Sequence, residues 1–291
     1  MIWTNRFGFP KHICDWLMAD EYDYDPTVIS ATTLISPARA WALKIANVDK
    51  LTMDVSDMLA LRIGTAIHDS LEKVGVYNDR DFREQRFYAD FMGYKISGKM
   101  DAVLDGVIRD NKSTSVNKYL FAEYDDYIKQ LSIYRWILHK NGIQVADYGY
   151  IDFFFTDWSK KKAREGNGYP PTRYTELKLP LMSIEETESF VADRLIAFAF
   201  AESALPDCTQ EELWATETKY AVYKLNKDGS RQQRAQKIFA ESDLTAAEAM
   251  AEDLGGIVEK RPGTVKRCAY CSASGFCDQY KRLKEAGLVD D

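Results

Sequence analysis

The spacing of apolar residues predicts three helices in the first half of the chain. Over Leu59–Leu71 an apolar residue recurs every four positions, which is the spacing of one helical face, so we predict a long amphipathic helix over Ser56–Val74. A short helix is predicted before it, over Pro37–Ala46, and another follows over Asp125–His139.

Between these helices the apolar period changes to two, which predicts strands. Short turns at Met92-Gly93 and Asp105-Gly106 separate the alternating runs, as in an antiparallel meander. The predicted strands are Phe82–Phe91, Tyr94–Leu104 and Val107–Lys112, with an aromatic-rich fourth strand at Val145–Thr156. The order of helix, three strands, helix and strand predicts an α/β core.

The last third of the chain predicts one long helix and one hairpin. The helix covers Ser183–Ala204, and Ser183 with Glu186 has the spacing of a capping box. The hairpin turns at Asn226–Gly229 and joins strands predicted over Tyr220–Leu225 and Arg231–Phe239.

Composition and charge narrow the class of protein. The 291 residues are 46% hydrophobic and 29% charged, which predicts a soluble globular chain. Acidic residues outnumber basic ones by 45 to 38, and the net charge of -7 argues against a protein that coats nucleic acid through a basic surface.

No apolar run reaches the length of about 18 residues that a membrane helix needs. Because Met1–Pro10 also has no signal-peptide pattern, we expect a cytoplasmic protein.

The residues with the clearest chemistry lie on the predicted second and third strands. A tight turn sets these strands side by side, so that Asp101 lies beside Asp110 and Lys112. Residues two apart point to the same face of a strand, so two carboxylates and an ammonium should meet at one place. Hard oxygen ligands of this kind suit Mg²⁺ or Mn²⁺. A solvated salt bridge between Asp110 and Lys112 is the alternative.

This block and two further motifs resemble the PD-(D/E)XK nuclease superfamily, in which a hairpin presents an Asp and then an Asp or Glu, one residue and a Lys. Gln130-Leu-Ser-Ile-Tyr134 is similar to the Gln-x-x-x-Tyr motif of the members related to RecB and Cas4 nucleases. Gly64-Thr-Ala-Ile-His68 is similar to their Gly-x-x-x-His motif. The resemblance covers about residues 30–156 and implies a restriction-endonuclease-like α/β core, with a mixed four-stranded central sheet flanked by helices.

The resemblance also implies roles for the metal-site residues. His68, Asp101, Asp110 and the backbone carbonyl of Asn111 would hold one or two Mg²⁺ or Mn²⁺ ions. Lys112 would position or help deprotonate the attacking water, or neutralise charge on the phosphate.

Gln130 and Tyr134 would contact a DNA phosphate or the active site, with an ordinary helix surface as the alternative. For His68 the alternative is a satisfied core histidine. Glu84 resembles an acidic residue that some relatives carry on the first strand, and the sequence leaves it between a neighbour of the metal site and a surface charge.

Five cysteines in a chain without a secretion signal make a disulfide framework a poor explanation. Cys268, Cys271 and Cys277 have C-x2-C-x5-C spacing, which suits a [4Fe-4S] cluster or, alternatively, tetrahedral Zn²⁺ with one more ligand. The spacing resembles the C-terminal motif of iron-sulfur RecB-type and Cas4 nucleases, whose fourth cysteine precedes the nuclease core.

Ser36 stands where that fourth cysteine would be, so the fourth ligand must be Cys208 or Cys14. Cys208 follows Leu205-Pro-Asp in a predicted loop, where a thiolate can turn towards a metal, whereas Cys14 lies in an amphipathic turn of the kind that buries inert thiols. We therefore expect Cys208 as the ligand and iron-sulfur rather than zinc, with unligated thiols as the alternative.

Two basic elements are candidates for contact with DNA phosphates. They consist of Lys160, Lys161, Lys162 and Arg164 after the fourth strand, and of Lys224, Arg231 and Arg234 on the C-terminal hairpin. Tyr220 and Tyr223, beside the hairpin cations, are candidates for stacking on unpaired bases. Solvated charged surfaces are the alternative for both elements.

Together these features predict a metal-dependent deoxyribonuclease, first an exonuclease acting in DNA processing or recombination, of the stand-alone kind that bacteriophages encode. A structure-specific endonuclease, a non-catalytic DNA-binding or assembly subunit, and a zinc-binding interaction protein are the alternatives. The expected partners are DNA and a recombination or replication protein, without a membrane. The expected parts are an N-terminal helical lead-in at 1–55, the nuclease core at 56–205, and a basic hairpin with a small Cys-rich metal element at 206–291.

Overall fold

The computed structural model describes residues 2–19, 25, 27–76, 78–121 and 124–289. The chain forms two compact units. Unit one comprises Met1–Ser36 and Thr52–Ser203, and unit two comprises Pro37–Leu51 and Ala204–Asp291. The segment Pro37–Leu51 therefore belongs with the last third of the chain.

The described elements bear the following labels. The strands are β1 (Ile2–Thr4), β2 (Val28–Ser30), β3 (Thr52–Asp54), β4 (Phe82–Phe91), β5 (Tyr94–Leu104), β6 (Val107–Thr114), β7 (Tyr148–Phe155), β8 (Tyr174–Pro180), β9 (Lys219–Lys224), β10 (Lys237–Ala240) and β11 (Gly256–Arg261). The helices are α1 (Lys11–Met18), α2 (Ala31–Leu34), α3 (Ala38–Ala46), α4 (Leu59–Glu72), α5 (Val116–Phe121), α6 (Asp125–Lys140), α7 (Lys160–Glu165), α8 (Ile184–Ala204), α9 (Leu244–Asp253) and α10 (Asp278–Glu285).

Unit one is built on a mixed sheet flanked by helices, so the predicted α/β class is confirmed. Its strands run in the order β2-β5-β6-β7-β8, and β4 pairs with β5. The β2/β5 and β6/β7 pairs are parallel, and the β4/β5, β5/β6 and β7/β8 pairs are antiparallel. Within the described residues this sheet has six strands rather than the expected four, because β2 and β8 add to it.

The predicted meander is present, and its turns explain its register. Met92 and Gly93 both have positive φ angles, of 50° and 80°, and so do Asp105 and Gly106, of 50° and 73°. Two successive positive φ angles are typical of the type I′ turn, whose twist matches that of paired strands. These turns place β4, β5 and β6 side by side with the predicted bounds, except that β6 extends to Thr114.

Two helices approach β6 from opposite faces of the sheet. The parallel pairing of β6 with β7 requires a crossover, and α5 and α6 form it. On one face, the side chain of Gln130 in α6 contacts Asp110. On the other, Gly64 of α4 lies against Ser113, three positions further along β6. The strand that carries Asp110 and Lys112 is thus covered on both sides.

The predicted helix is present as α4, but its apolar residues are not buried. None of the helix's residues is buried, and the side chains of Leu59 and Ile63 are 36% and 47% exposed. The segment begins with a 3-10 turn, Val55–Met58, and the apolar ends of that turn are buried in its place. The helix itself meets the sheet at Gly64, where a small residue permits close approach.

The N-terminus of α8 has the predicted capping box. The Glu186 backbone N–H donates to Ser183 Oγ at 3.1 Å, and the Ser183 N–H donates to Glu186 Oε2 at 2.8 Å. This reciprocal pair satisfies two N–H groups that the first turn leaves without partners.

Unit two contains a small antiparallel sheet in the order β10-β9-β11, with α9 packed against it. The predicted hairpin is present, although its second strand is shorter than expected. Arg231 forms only an isolated bridge with Leu225, and regular pairing resumes at Lys237. The polar run between them has no alternation of apolar residues to hold it on the sheet.

Two expectations about the basic elements change with the structure. The run from Lys160 to Arg164 is helical, as α7, rather than a turn. The side chain of Tyr223 is buried, with the guanidinium carbons of Arg231 and Arg261 at 4.3 Å and 5.7 Å from its ring centroid. Tyr223 therefore cannot stack on an unpaired base in this structure, and the expectation that it does so is wrong. None of the described helices has the length and apolar character needed to span a membrane.

Candidate functional site

The candidate site forms where the β5–β6 hairpin brings two acidic residues and a lysine together. Asp101 Oδ2 accepts a hydrogen bond from the backbone N–H of Asn111 at 2.6 Å. Lys112 Nζ lies 2.6 Å from Asp110 Oδ2, and the Asp110 side chain is only 2% exposed. Asp101 thus contacts the peptide N–H of Asn111, which lies between Asp110 and Lys112 in the chain.

Helix α4 and strand β4 add an imidazole and a third carboxylate. His68 Nδ1 lies 3.4 Å from Asp101 Oδ1 and 3.3 Å from Glu84 Oε1. In the described part of the chain, one group of at least three His, Cys, Asp or Glu residues has ligand atoms that all lie within 4.8 Å of one another. This group consists of His68, Glu84 and Asp101. His68 is thus at an acidic site and not a core histidine.

Glu84 is the residue that the sequence analysis did not assign to the site. Its side chain is 8% exposed and its carboxylate also contacts Lys99 Nζ at 2.6 Å, so it is not a surface charge. Its φ of 49° lies in the left-handed region, which is costly for a residue with a long side chain and is often found at functional sites. The local sequence gives no sign of this conformation, because strand periodicity assumes an extended backbone at every position.

Burial and neighbouring charges shift the pKa values of Asp110 and His68. Burial raises the pKa of Asp110 to about 6, and the charge of Asp101 adds to the increase, although Lys112 opposes it. Hydrogen bonds to Asp101 and Glu84 raise the pKa of His68 to about 10. In this structure the positive charge of protonated His68 therefore offsets the negative charges of Asp101 and Glu84.

These groups fit a divalent cation. Asp110 Oδ2 is buried and, apart from its ion pair with Lys112, has no hydrogen-bond partner among the described residues. Carboxylate oxygens suit Mg²⁺ and Mn²⁺, and a neutral imidazole completes such a set. Because metal ligands must be deprotonated, cation binding would replace the proton on His68.

Gln130 and Tyr134 support the site from α6 instead of facing solvent. Gln130 Nε2 donates to Asp110 Oδ1 at 3.2 Å and to the Tyr134 hydroxyl at 2.8 Å. Both side chains are buried, at 6% and 5% exposed. Because Gln130 and Tyr134 are four residues apart on one helix, Tyr134 can hold Gln130 while Gln130 orients Asp110. The alternative that these two residues form an ordinary helix surface is wrong.

Residues 75–278, which are more than half of the chain, match the family model of the PD-(D/E)XK nuclease superfamily. The chain belongs to this superfamily. Its members are usually metal-dependent nucleases, and their fold implies a DNA substrate.

The comparison with curated proteins gave no match. Among the solved structures that match, one described as "Crystal structure of SSO0001" has 17% sequence identity and a TM-score of 0.44. The match covers 64% of this chain and 83% of that chain.

Two glycines of this PD-(D/E)XK chain permit the close packing that its site requires. A Cβ on Gly64, in the Gly-x-x-x-His segment, would lie 2.9 Å from Ser113 Oγ. A Cβ on Gly98 of β5 would lie 2.7 Å from Cδ1 of Tyr134. Each distance is shorter than a normal carbon contact, so the glycines let α4 and α6 approach the sheet.

Four of the five cysteines lie in unit two, and the fifth, Cys14, lies in unit one. Cys208 lies in the loop after α8, Cys268 lies in a 3-10 turn, and Cys277 caps the N-terminus of α10. Cys277 and Cys271 pack in a cluster with Leu43 and other apolar side chains of the unit. Burial raises the pKa of Cys208 to about 12, with smaller contributions from Glu212, Cys277 and Cys268.

Cys14, the alternative fourth ligand, and Ser36, which stands where relatives carry the fourth cysteine, both lie in unit one. The Cys14 sulfur contacts Asn5 Nδ2 and the Phe9 carbonyl, both at 3.4 Å. The Ser36 hydroxyl donates to the Thr32 carbonyl at 3.0 Å. Both side chains are thus engaged within that unit.

Among the described residues, no three cysteine sulfurs form a group within 4.8 Å of one another.

The basic elements differ in how their charges are used. Lys160, Lys161, Lys162 and Arg164 are all exposed on α7. On the hairpin, Arg231 Nε is 3.0 Å from Glu259 Oε2, so its charge is already paired. Helix α7 therefore presents the stronger concentration of available positive charge.

The packing of Gly98 against Tyr134 gives a testable prediction. Gly98→Ala should lower the free energy of unfolding by roughly 1–3 kcal/mol, because the added methyl displaces the Tyr134 ring. In a Tyr134→Ala background the methyl keeps only its contact with Ile137 Cδ1, at 3.1 Å, and the loss should be smaller. Urea unfolding of the four proteins measures this coupling.

Gly75→Ala is the matched control, since a Cβ there has no neighbour within 4 Å. Its effect should stay within about 0.5 kcal/mol. An equal loss for Gly98→Ala in both backgrounds would contradict the packing argument.

Proposed function

We propose that this protein is a Mg²⁺- or Mn²⁺-dependent deoxyribonuclease of the RecB/Cas4-like type. The observation that carries the proposal is the convergence of His68, Glu84 and Asp101 beside the buried Asp110–Lys112 pair, in a member of a nuclease superfamily. The resemblance of the Gln130–Tyr134 and Gly64–His68 segments supports the subtype.

The residues have separate roles in this proposal. A divalent cation in such a site polarises the scissile phosphate and lowers the pKa of the attacking water. His68, Asp101, Asp110 and the carbonyl of Asn111 would hold it, and Glu84 extends this acidic set. Lys112 would place its positive charge at the phosphate oxygens, where charge increases during cleavage. Gln130 keeps Asp110 oriented and is itself fixed by Tyr134.

We propose exonuclease action on DNA ends, in DNA processing or recombination, with structure-specific endonuclease action as the second candidate. The complete set of Asp101, Asp110 and Lys112 favours an enzyme over a non-catalytic DNA-binding subunit, because a scaffold has no need of a buried ion pair beside two more acids.

Substitutions at the hairpin test the catalytic proposal. Asp110→Asn and Lys112→Ala should each reduce Mg²⁺-dependent cleavage of end-labelled linear DNA by more than about a hundredfold, because the first weakens a metal ligand and the second removes a positive charge at the phosphate. Circular dichroism at the assay temperature checks that each variant is folded, because either change disturbs the buried ion pair. Covalently closed circular DNA should resist cleavage if the enzyme requires ends.

Asp90→Asn, an exposed change on β4, is the control and should retain full activity. Undiminished cleavage by both hairpin variants would overturn the active site. Wild-type protein that binds DNA but does not cleave it with either metal would favour the non-catalytic alternative.

For the cysteine site we propose a [4Fe-4S] cluster held by Cys208, Cys268, Cys271 and Cys277. The support for Cys208 is its fixed position in unit two. The Gln279 side chain accepts from the Cys208 N–H and donates to the Cys208 carbonyl, both at 2.9 Å. Gln279 is buried at the start of α10, next to Cys277, so the same helix positions both cysteines.

Metal analysis tests the fourth ligand. Cys208→Ser should lose most of the iron and the visible absorption of anaerobically purified protein, because three thiolates hold a cluster weakly. Cys14→Ser, in unit one, should keep both. Unchanged iron in Cys208→Ser would exclude it as a ligand, and zinc in place of iron would favour the zinc alternative.

We propose that α7 contacts the DNA backbone, with the hairpin residues Lys224, Arg231 and Arg234 as a weaker element. Reversing Lys160, Lys161 and Lys162 to Glu should weaken binding regardless of sequence. It should also reduce the slope of log affinity against log salt by up to about 2–3, since each lost phosphate contact removes about 0.9. Binding titrations at several salt concentrations measure this.

The comparison variant reverses Lys224, Arg231 and Arg234 on the hairpin, which is the same number of charges, and should have a smaller effect. An unchanged salt slope in the α7 variant would show that its charges are simply solvated.

A further inference from the structure

Arg39 is a buried cation whose guanidinium points at a cysteine sulfur. Its side chain is 3% exposed, and its Nε–H donates to Cys277 Sγ at 3.1 Å. Its Nη1 donates to the carbonyls of Leu205 and Pro206, at 2.5 Å and 3.2 Å. One side chain of α3 thus joins the cysteine at the start of α10 to the loop that leads to Cys208.

The charge of Arg39 is incompletely matched by carboxylates. It pairs with Asp207 at 3.3 Å and with Asp278, but both acids are more than half exposed. Arg282 also pairs with both of them, at 2.6 Å each. Two arginines therefore share two solvated acids, and only Arg39 is buried. A buried guanidinium requires anionic partners to offset its desolvation, and the sulfur is the partner that Arg282 does not contact.

The Cys277 sulfur receives a second hydrogen bond. It accepts from the Tyr280 backbone N–H at 3.4 Å, at the N-terminus of α10. The N-terminal end of a helix carries partial positive charge, so both donors favour negative charge on this sulfur.

We propose that Arg39 is a positioning residue of the cysteine site, which pairs with the Cys277 thiolate and raises the reduction potential of the cluster. The inference rests on the proposed [4Fe-4S] cluster. Reduction adds negative charge to a cluster, and hydrogen bonds and positive charge at its sulfurs stabilise that charge. Arg39 holds Cys277 directly and the Cys208 loop through its carbonyls, so it also fixes the distance between two ligands.

The experiment compares three variants of the full-length protein, purified anaerobically. Iron content is measured for each, and the midpoint potential is measured by spectroelectrochemical titration. Arg39→Gln removes the charge and should move the potential to a more negative value. Arg282→Gln is the matched control, because it removes a cation from the same two acids without touching sulfur, and it should leave the potential unchanged.

Arg39→Lys keeps the charge but replaces the planar fork with a single ammonium. It should load iron and have a potential below that of the wild type. If Arg39→Gln does not bind a cluster, the potential of Arg39→Lys decides whether Arg39 acts through its hydrogen bond to the sulfur. A potential of Arg39→Lys equal to that of the wild type overturns this role.

The outcomes separate the two proposals. Wild-type protein without iron would overturn the cluster and this inference with it. A loaded wild type, with an equal potential in Arg39→Gln, would overturn the role of Arg39 alone. A negative shift of similar size in Arg282→Gln would assign the effect to the general charge of the region and would also overturn it.

Discussion

The ion pair between Asp110 and Lys112, 2.6 Å apart on the covered strand β6, is the interaction on which the active-site region depends. A carboxylate buried this completely destabilises the fold unless its oxygens are matched. Helix α6 provides the amide of Gln130, and α4 brings His68 to the neighbouring Asp101. The close approach of α6 at Gly98 thus places a donor at the buried charge, and the close approach of α4 at Gly64 places His68 at Asp101.

Much of this architecture was predictable because local patterns and tertiary packing agree. Type I′ turns need residues that tolerate positive φ, and the Gly-containing turns of the meander marked the strand ends correctly. The capping box at Ser183 is a purely local device and formed as expected. Strand β2, with three residues, is too short to show a period of two, so the full width of the sheet could not be predicted.

The predictions from the sequence fail where a polar residue is buried or an apolar residue is exposed. Gln130 is a polar helix residue that is buried because Asp110 needs a donor, and Tyr223 is buried beneath two arginines. Glu84 adopts a left-handed conformation inside a strand. In the other direction, apolar residues of α4 remain exposed. In each case a distant part of the chain determines the outcome, and a periodicity of two or 3.6 carries no information about it.

The division of the chain has a consequence for its biogenesis. Pro37–Leu51 is synthesised early, yet the unit to which it belongs is completed only by residues after Ser203. During translation, Arg39 and Leu43 must therefore wait for more than half of the polypeptide to emerge before they find Cys277 and its neighbours. Unit two therefore cannot close before its residues beyond Ser203 have been synthesised. Any metal that Cys277 helps to hold would be inserted after that residue has emerged, and a fragment ending near Ser203 would leave a buried arginine without its partners.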